Sequence, residues 1–162
     1  SFCIKLKLII LIFVVLIIIM ATEKFSTYSY LLDRTNRKIK QYAQQKFKEK
    51  DFDITVDQWL ILKNLSINND QNQSQLAELT GKDHPTLTRI LDLLCKKNLV
   101  ERRTSATDRR SFIIHLTDHG IQKQKEWAPI VAQIRTKAWE NLSEKDYEDL
   151  KRILNTIYQT LS

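Results

Sequence analysis

A mainly α-helical chain with one small β-hairpin is the fold class the sequence predicts, and three observations carry it. Only 2 Gly and 2 Pro occur in 162 residues, too few for an all-β chain, whose tight turns usually take one or the other. Apolar residues recur at three- and four-residue steps through most of the chain. Sustained alternation occurs in one place, where Ser111, Ile113 and His115 interleave with Phe112, Ile114 and Leu116. With 43% hydrophobic and 28% charged residues, the chain has the make-up of one ordinary folded domain and not of a disordered segment.

The elements follow in order. Phe25, Tyr28, Leu32, Ile39, Tyr42, Ala43 and Phe47 make residues 23–48 one long amphipathic helix, broken at Lys50–Asp53. Thr55 is the expected N-cap of a second helix, from Val56 to about Ser66, with Trp59, Leu60, Leu62 and Leu65 as its stripe. Ile67–Asn72 reads as a polar turn. A short helix near Gln73–Leu79 ends at Gly81, which suits a left-handed C-terminal residue. Asp83 then caps a helix with Pro85 in its first turn, running to about Lys97 with Leu87, Ile90, Leu91 and Leu94 on one side. Leu99–Arg103 and Ser111–Leu116 are two strands. Thr117–Gly120 opens a helix in which Pro129 is expected to kink the chain or start a new segment. Ser143 and Asp146 approach a capping box before a last helix carrying Tyr147, Leu150, Ile153, Leu154, Ile157 and Leu161.

The first nineteen residues stand apart, because sixteen of them are apolar. Lys5 and Lys7 precede an unbroken apolar run of 14 residues from Leu8 to Ala21. A spanning helix needs about 20, and Ile18, Ile19 and Met20 supply no small-x-small cleavage site. The single Met is Met20. The expectation is that residues 1–19 are an apolar leader added in cloning or by gene-start extension, and that the working chain starts at Met20.

Two helices separated by a turn containing Gly and followed by a hairpin form a winged helix-turn-helix. Its pieces resemble the MarR family of bacterial transcription regulators. The resemblance is carried by Ile54–Trp59, Gln75-Leu76-Ala77-Glu78, Pro85-Thr86-Leu87-Thr88-Arg89, Leu99-Val100-Glu101-Arg102, Asp108-Arg109-Arg110 and Leu116–Gly120. It covers roughly Glu23 to Leu161. Asn98 departs from the family, which usually has Gly there, but Asn also tolerates a left-handed conformation. The resemblance implies a winged helix-turn-helix over 54–117 flanked by long N- and C-terminal dimerisation helices, 23–50 and 118–162, in a single domain of residues 20–162. It also implies an obligate homodimer whose first and last helices interlock. The apolar and aromatic surface of those helices exceeds what a small winged helix could cover alone, which supports an interface independently.

The charge pattern points to DNA. The formal net charge is +7, and Lys96–Arg110 holds six basic residues (Lys96, Lys97, Arg102, Arg103, Arg109, Arg110) against two acidic ones (Glu101, Asp108). That is a phosphate-contacting surface beside a recognition helix. On that helix, His84, Thr86, Thr88 and Arg89 are the candidates for base and phosphate contact. Arg89 suits guanine, and equally a phosphate clamp. Ser74 and Gln75 open the preceding helix, where backbone N–H groups and a hydroxyl can hold a phosphate. Lys97 and Arg103 belong to the same basic surface. Arg109 or Arg110 is expected in a minor groove, with Asp108 orienting one of them. In the family the arginine two residues after this aspartate recurs, which favours Arg110 structurally.

Other chemistry is sparse. His115 and His119 are four apart but span a strand and a helix start, so no metal is expected, and no cofactor either. Two cysteines, Cys3 and Cys95, cannot make a disulfide framework and fit a reducing, cytoplasmic setting. Cys95 lies beside Lys96 and Lys97, which would lower its pKa, yet an inert thiol is the expectation. No nucleophile triad, P-loop, dinucleotide fingerprint or framed carboxylate pair occurs, so the chain does not read as an enzyme. Many members of the family bind small aromatic or phenolic acids between the dimer helices and the winged domain and then release DNA. Tyr28, Arg37, Tyr42, Trp59 and Trp127 are the candidates to line such a cleft, although aromatics at helical spacing are more often core. The reading is a homodimeric, sequence-specific regulator of double-stranded DNA, a repressor released by a small-molecule effector and working on a pseudo-palindromic operator. The alternative is a membrane-anchored sensor or interaction protein using the apolar leader and the basic first helix.

Overall fold

A computed structural model of the chain describes residues 2–104 and 112–161. Within these, six α-helices and three short strands run in the order α1 (Phe2–Glu49), α2 (Val56–Ile67), β1 (Gln71–Asn72), α3 (Gln73–Thr80), α4 (His84–Lys96), β2 (Val100–Thr104), β3 (Phe112–Leu116), α5 (Asp118–Thr136) and α6 (Glu144–Leu161), with one 3-10 turn at Lys137–Trp139. The chain divides into two compact units, residues 1–42 and 43–162.

In the first unit the helix starts in the apolar leader rather than near Glu23 as periodicity suggests. Leu, Ile, Val, Phe and Lys all tolerate a helix, and no Gly or Pro interrupts the sequence before Glu49. From Ile10 to Met20 the side chains are exposed at 45–69%. Among the described residues no helix is long and apolar enough to cross a membrane.

The second unit is built around α2. Thr55 caps it with a full capping box, its hydroxyl accepting from the Gln58 N–H at 3.2 Å while Gln58 Oε1 accepts from the Thr55 N–H at 3.0 Å. Trp59, Ile61, Leu62 and Leu65 of α2 meet Leu76 of α3, Leu87, Leu91 and Leu94 of α4, and Val100, Ile114 and Leu116 of the sheet in one buried core. Each such side chain contributes about 1.5–3 kcal/mol by leaving water. Phe47, Phe52 and Trp127 extend the core, with ring centroids 5.0 and 5.1 Å apart along the series.

The hairpin is one edge of a three-stranded antiparallel sheet in the order β1-β3-β2. Gln71 pairs with Ile114 and Asn72 with Ile113, so the segment read as a polar turn also supplies a strand. Gln71 is buried, and its amide nitrogen donates to the carbonyls of Asn64 at 3.2 Å and Asn68 at 2.6 Å. The alternation in β3 holds from Ile113 onward, with Ile114 and Leu116 buried and Ile113 and His115 half-buried, but Phe112, expected on the buried face, is exposed at the strand's start.

Pro129 does not start a new segment. The helix α5 runs through it, with Trp127, Val131 and Ile134 buried on either side of it and Pro129 itself exposed. A buried stripe outweighs one missing hydrogen bond. The break comes later, at the 3-10 turn and Asn141–Leu142, after which Ser143 and Asp146 form the expected cap, the Ser143 N–H donating to Asp146 Oδ2 at 2.8 Å.

Candidate nucleic-acid interface

The helix-turn-helix is set by three local devices. Asn72 caps α3, its side chain accepting from the Gln75 N–H at 2.8 Å while Gln75 Oε1 accepts from the Asn72 N–H at 2.9 Å. Gly81 ends α3 in the left-handed conformation at φ 60. Asp83 caps α4 by accepting from the Thr86 N–H at 2.7 Å, and that hydrogen bond holds its carboxyl below the usual carboxylate range. At the other end Asn98 takes the left-handed position, φ 56, that the resemblance assigns to a glycine.

Three ion pairs then brace the recognition helix α4 against its surroundings. Lys82, in the turn before it, lies 2.8 Å from Asp57 of α2. Asp92, in its middle, lies 2.7 Å from Arg102 of β2. Lys97, just past its end, donates to the Asp53 carbonyl and lies 3.0 Å from that residue's carboxylate. The hydroxyl of Thr117, N-cap of α5, donates to the Asn98 carbonyl at 2.6 Å and accepts from the Gly120 N–H at 2.9 Å, so α5 grows directly out of the same corner.

The candidates fall unevenly on this frame. His84, Thr86 and Arg89 are exposed on α4, away from the buried Leu87, Leu91 and Leu94. Thr88 is half-buried, its hydroxyl donating to the His84 carbonyl at 2.9 Å and accepting from Gln73 Nε2 at 2.5 Å. Ser74 and Gln75 are exposed at the start of α3, but the Gln75 side chain and N–H are both committed to Asn72. Lys97 turns to Asp53, and Arg103 donates through Nε to Glu101 at 2.7 Å while staying exposed. Asp108, Arg109 and Arg110 lie outside the described residues.

The effector candidates divide between the units. Tyr28, Arg37 and Tyr42 belong to the first, where Arg37 pairs with Asp33 at 2.9 Å. In the second, Trp59 is core at 3% exposure, its indole nitrogen buried without a hydrogen-bond partner. Trp127 lines a recess of about 440 Å3 with Phe52, Leu99 and Ile130, rimmed by Lys97 and Lys123. His115 belongs to a different contact, Nδ1 lying 2.5 Å from Asp70 Oδ1 and Nε2 3.4 Å from the Asn69 amide. Burial pushes the half-buried Cys95 thiol up, against the lowering expected from its lysine neighbours.

Four contributors escape a sequence reading: Gln73, Asp92, Asp53 and Asp57. Their partners lie 10 to 44 residues away in the chain, and nothing in local spacing marks a partner that far off. Only the placement of Asp92 on the polar side of α4 hints that it faces another element.

A family model described as MarR family matches residues 52–111. The structure of S. aureus MepR in complex with DNA is 30% identical, with 82% of this chain and 97% of that one covered at a TM-score of 0.73. AbsC, a MarR family transcriptional regulator from Streptomyces coelicolor, is 25% identical over 86% of this chain and 94% of its own, with a TM-score of 0.75. The transcriptional repressor CouR, bound to a 23-mer DNA duplex, is 27% identical over 80% and 91%, with a TM-score of 0.72.

Proposed function

This chain belongs to the MarR family, and on that premise we propose that it is a homodimeric transcriptional regulator that binds double-stranded DNA in a sequence-specific manner and represses transcription. The observation that carries the reading is the recognition helix itself. Its first two turns present His84, Thr86 and Arg89 to solvent, and ion pairs at both ends and in the middle hold it against α2, the 50–53 loop and β2. A helix held that way can enter a major groove without reordering.

The basic surface next to it supplies the sequence-independent part of binding. Lys96, Arg103 and the wing residues Arg109 and Arg110 neutralise phosphates, with Arg109 or Arg110 entering a minor groove and Asp108 orienting one of them. Each protomer reads one half-site, and the two half-sites lie about 10 bp apart, roughly 34 Å, so that both helices face one side of the duplex. The protein acts where the bacterial chromosome is, in the cytoplasm. Release follows binding of a small aromatic or phenolic ligand, a reading that the Trp127-lined recess supports because it joins an apolar floor to lysine side chains.

The test is titration of a fluorescent duplex from upstream of the gene. Expected are tight binding, a steep loss of affinity with salt, and a shallower salt slope in the Arg109→Ala/Arg110→Ala variant. A double variant with the parent's affinity and slope overturns the wing's part in the mechanism, and a parent that binds no duplex at low salt overturns the function.

A further inference from the structure

Thr88 is one of the few residues of α4 near the DNA-facing side whose side-chain chemistry the fold has already committed. Its hydroxyl proton goes to the His84 carbonyl, 2.9 Å away, one turn back along the helix. A Thr hydroxyl has one donor and two acceptor positions. With the donor used internally, the oxygen accepts from Gln73 Nε2 at 2.5 Å. Gln73 is the first residue of α3, half-buried, on an element fixed by the Asn72 cap.

These two bonds have a chemical consequence. A Thr in a helix divides between two χ1 wells, and the bond to the carbonyl four residues back selects one of them. The bond from Gln73 holds that choice from the neighbouring helix. The hydroxyl can then no longer donate to a guanine or adenine acceptor without breaking a bond inside the protein. What the residue keeps to offer a base pair is its γ-methyl and the one remaining acceptor position of an oxygen already bonded twice, and the apolar feature of the major groove that a methyl matches is the C5-methyl of thymine.

We propose that Thr88 reads a thymine in each half-site through its methyl group, and that Gln73 is the positioning residue that takes the hydroxyl out of the readout. This rests on the DNA-binding function proposed above. It assigns a base preference to a position where a hydroxyl would otherwise be expected to form a hydrogen bond. Gln73 acts only through Thr88.

The experiment begins with duplexes selected from a random-sequence pool by the parent protein. Each thymine of the enriched duplex is then replaced in turn by deoxyuridine, which removes only the methyl. At one position per half-site the parent should lose about fourfold in affinity, the worth of one buried methyl, and about sixteenfold when both half-sites carry the change. Thr88→Ser should bind the thymine duplex that much more weakly and be indifferent to deoxyuridine there. Thr88→Val, which keeps the methyl on a side chain with one strongly preferred helical rotamer and loses the hydroxyl, should stay within about twofold of the parent on thymine. Gln73→Ala should relax the base preference at that position in a repeated selection, a change that simple loss of stability does not produce. Circular dichroism on each variant separates folding from readout, and the deoxyuridine series on the unmodified protein needs no variant at all. A pool that yields no enriched duplex overturns the DNA-binding function and the inference together. An enriched duplex with no thymine whose methyl matters, or a loss in Thr88→Val with none in Thr88→Ser, overturns the inference alone.

Discussion

Asp92 Oδ1 and the Arg102 guanidinium meet at 2.7 Å, joining the middle of the recognition helix to the first residues of the wing. The side chains are 49% and 29% exposed, so water screens the pair and its removal should cost less than about 1 kcal/mol of stability. Its effect on DNA binding should be larger, because it ties together two elements that the proposed function places on one duplex. Asp92→Ala is expected to weaken binding by roughly three- to tenfold with an almost unchanged melting temperature. Its salt slope should equal the parent's, since no phosphate contact is lost. Anisotropy titrations at several salt concentrations check this; a slope reduced by about one would instead make Asp92 a support for a phosphate-binding Arg102.

The two glycines should respond differently to alanine. A Cβ on Gly120 would lie 1.9 Å from the Leu99 carbonyl oxygen, where only backbone could move away. Gly120→Ala is therefore expected to cost about 3 kcal/mol or to prevent folding, because α5 could not start against the end of the recognition helix. At Gly81 a Cβ meets nothing within 4 Å, but φ is +60. Gly81→Ala should cost only about 1 kcal/mol, and Gly81→Asn less. Urea denaturation of the three variants ranks them directly, and equal costs for Gly81→Ala and Gly120→Ala would contradict the packing argument.

Acid should act through the helix caps. Asp83 and Asp146 both sit below the usual carboxylate range, held there by hydrogen bonds from Thr86 and Ser143. A depressed folded-state pKa contributes stability above the unfolded value of 3.8, and that contribution is lost as pH falls through the lower folded value. Asn caps a helix about as well as Asp but does not titrate. The melting temperature of the parent should thus exceed that of Asp83→Asn at pH 7, and the gap should close below the unfolded value. A gap that is the same at pH 7 and pH 3 would show that the charge on the cap contributes nothing.

What could be read from the sequence is whatever local spacing encodes. The caps at Thr55, Asp83 and Ser143, the left-handed turn at Gly81, and the buried stripe of α4 all follow from residue types a few positions apart, whereas the left-handed turn at Asn98 follows from the family resemblance. The strand at Gln71–Asn72 could not be read, because two polar residues carry no period and their reason for pairing lies at Ile113 and Ile114. At Pro129 no new segment starts for the opposite reason: the local rule is real, but the buried Trp127, Val131 and Ile134 carry α5 through it. At the site, basic residues were visible but their partners were not. Lys97 is legible as part of the basic surface, but its pairing with Asp53, 44 residues earlier in the chain, has no local mark.

Among the described residues the last helix keeps an exposed apolar face, with Tyr147 edge-on to Trp139 at 5.3 Å between ring centroids. Tyr147, Leu150, Ile153 and Leu154 are exposed at 38–44%, and no residue of α6 is buried. Covering such side chains is worth about 1.5–3 kcal/mol each, enough together to hold two copies of a chain. The proposed homodimer places this face in its interface. Leu150→Glu/Leu154→Glu is expected to sediment as a monomer while keeping its helix content, since Glu is as good a helix former as Leu. DNA affinity should fall by about a hundredfold or more, because two linked half-site contacts become one. Lys145→Ala, on the polar side of the same helix and 85% exposed, should leave both assembly and affinity unchanged. If the double Glu variant remains dimeric, α6 is not the interface. If it is monomeric but binds with parental affinity, one protomer suffices, and the paired half-site geometry is wrong.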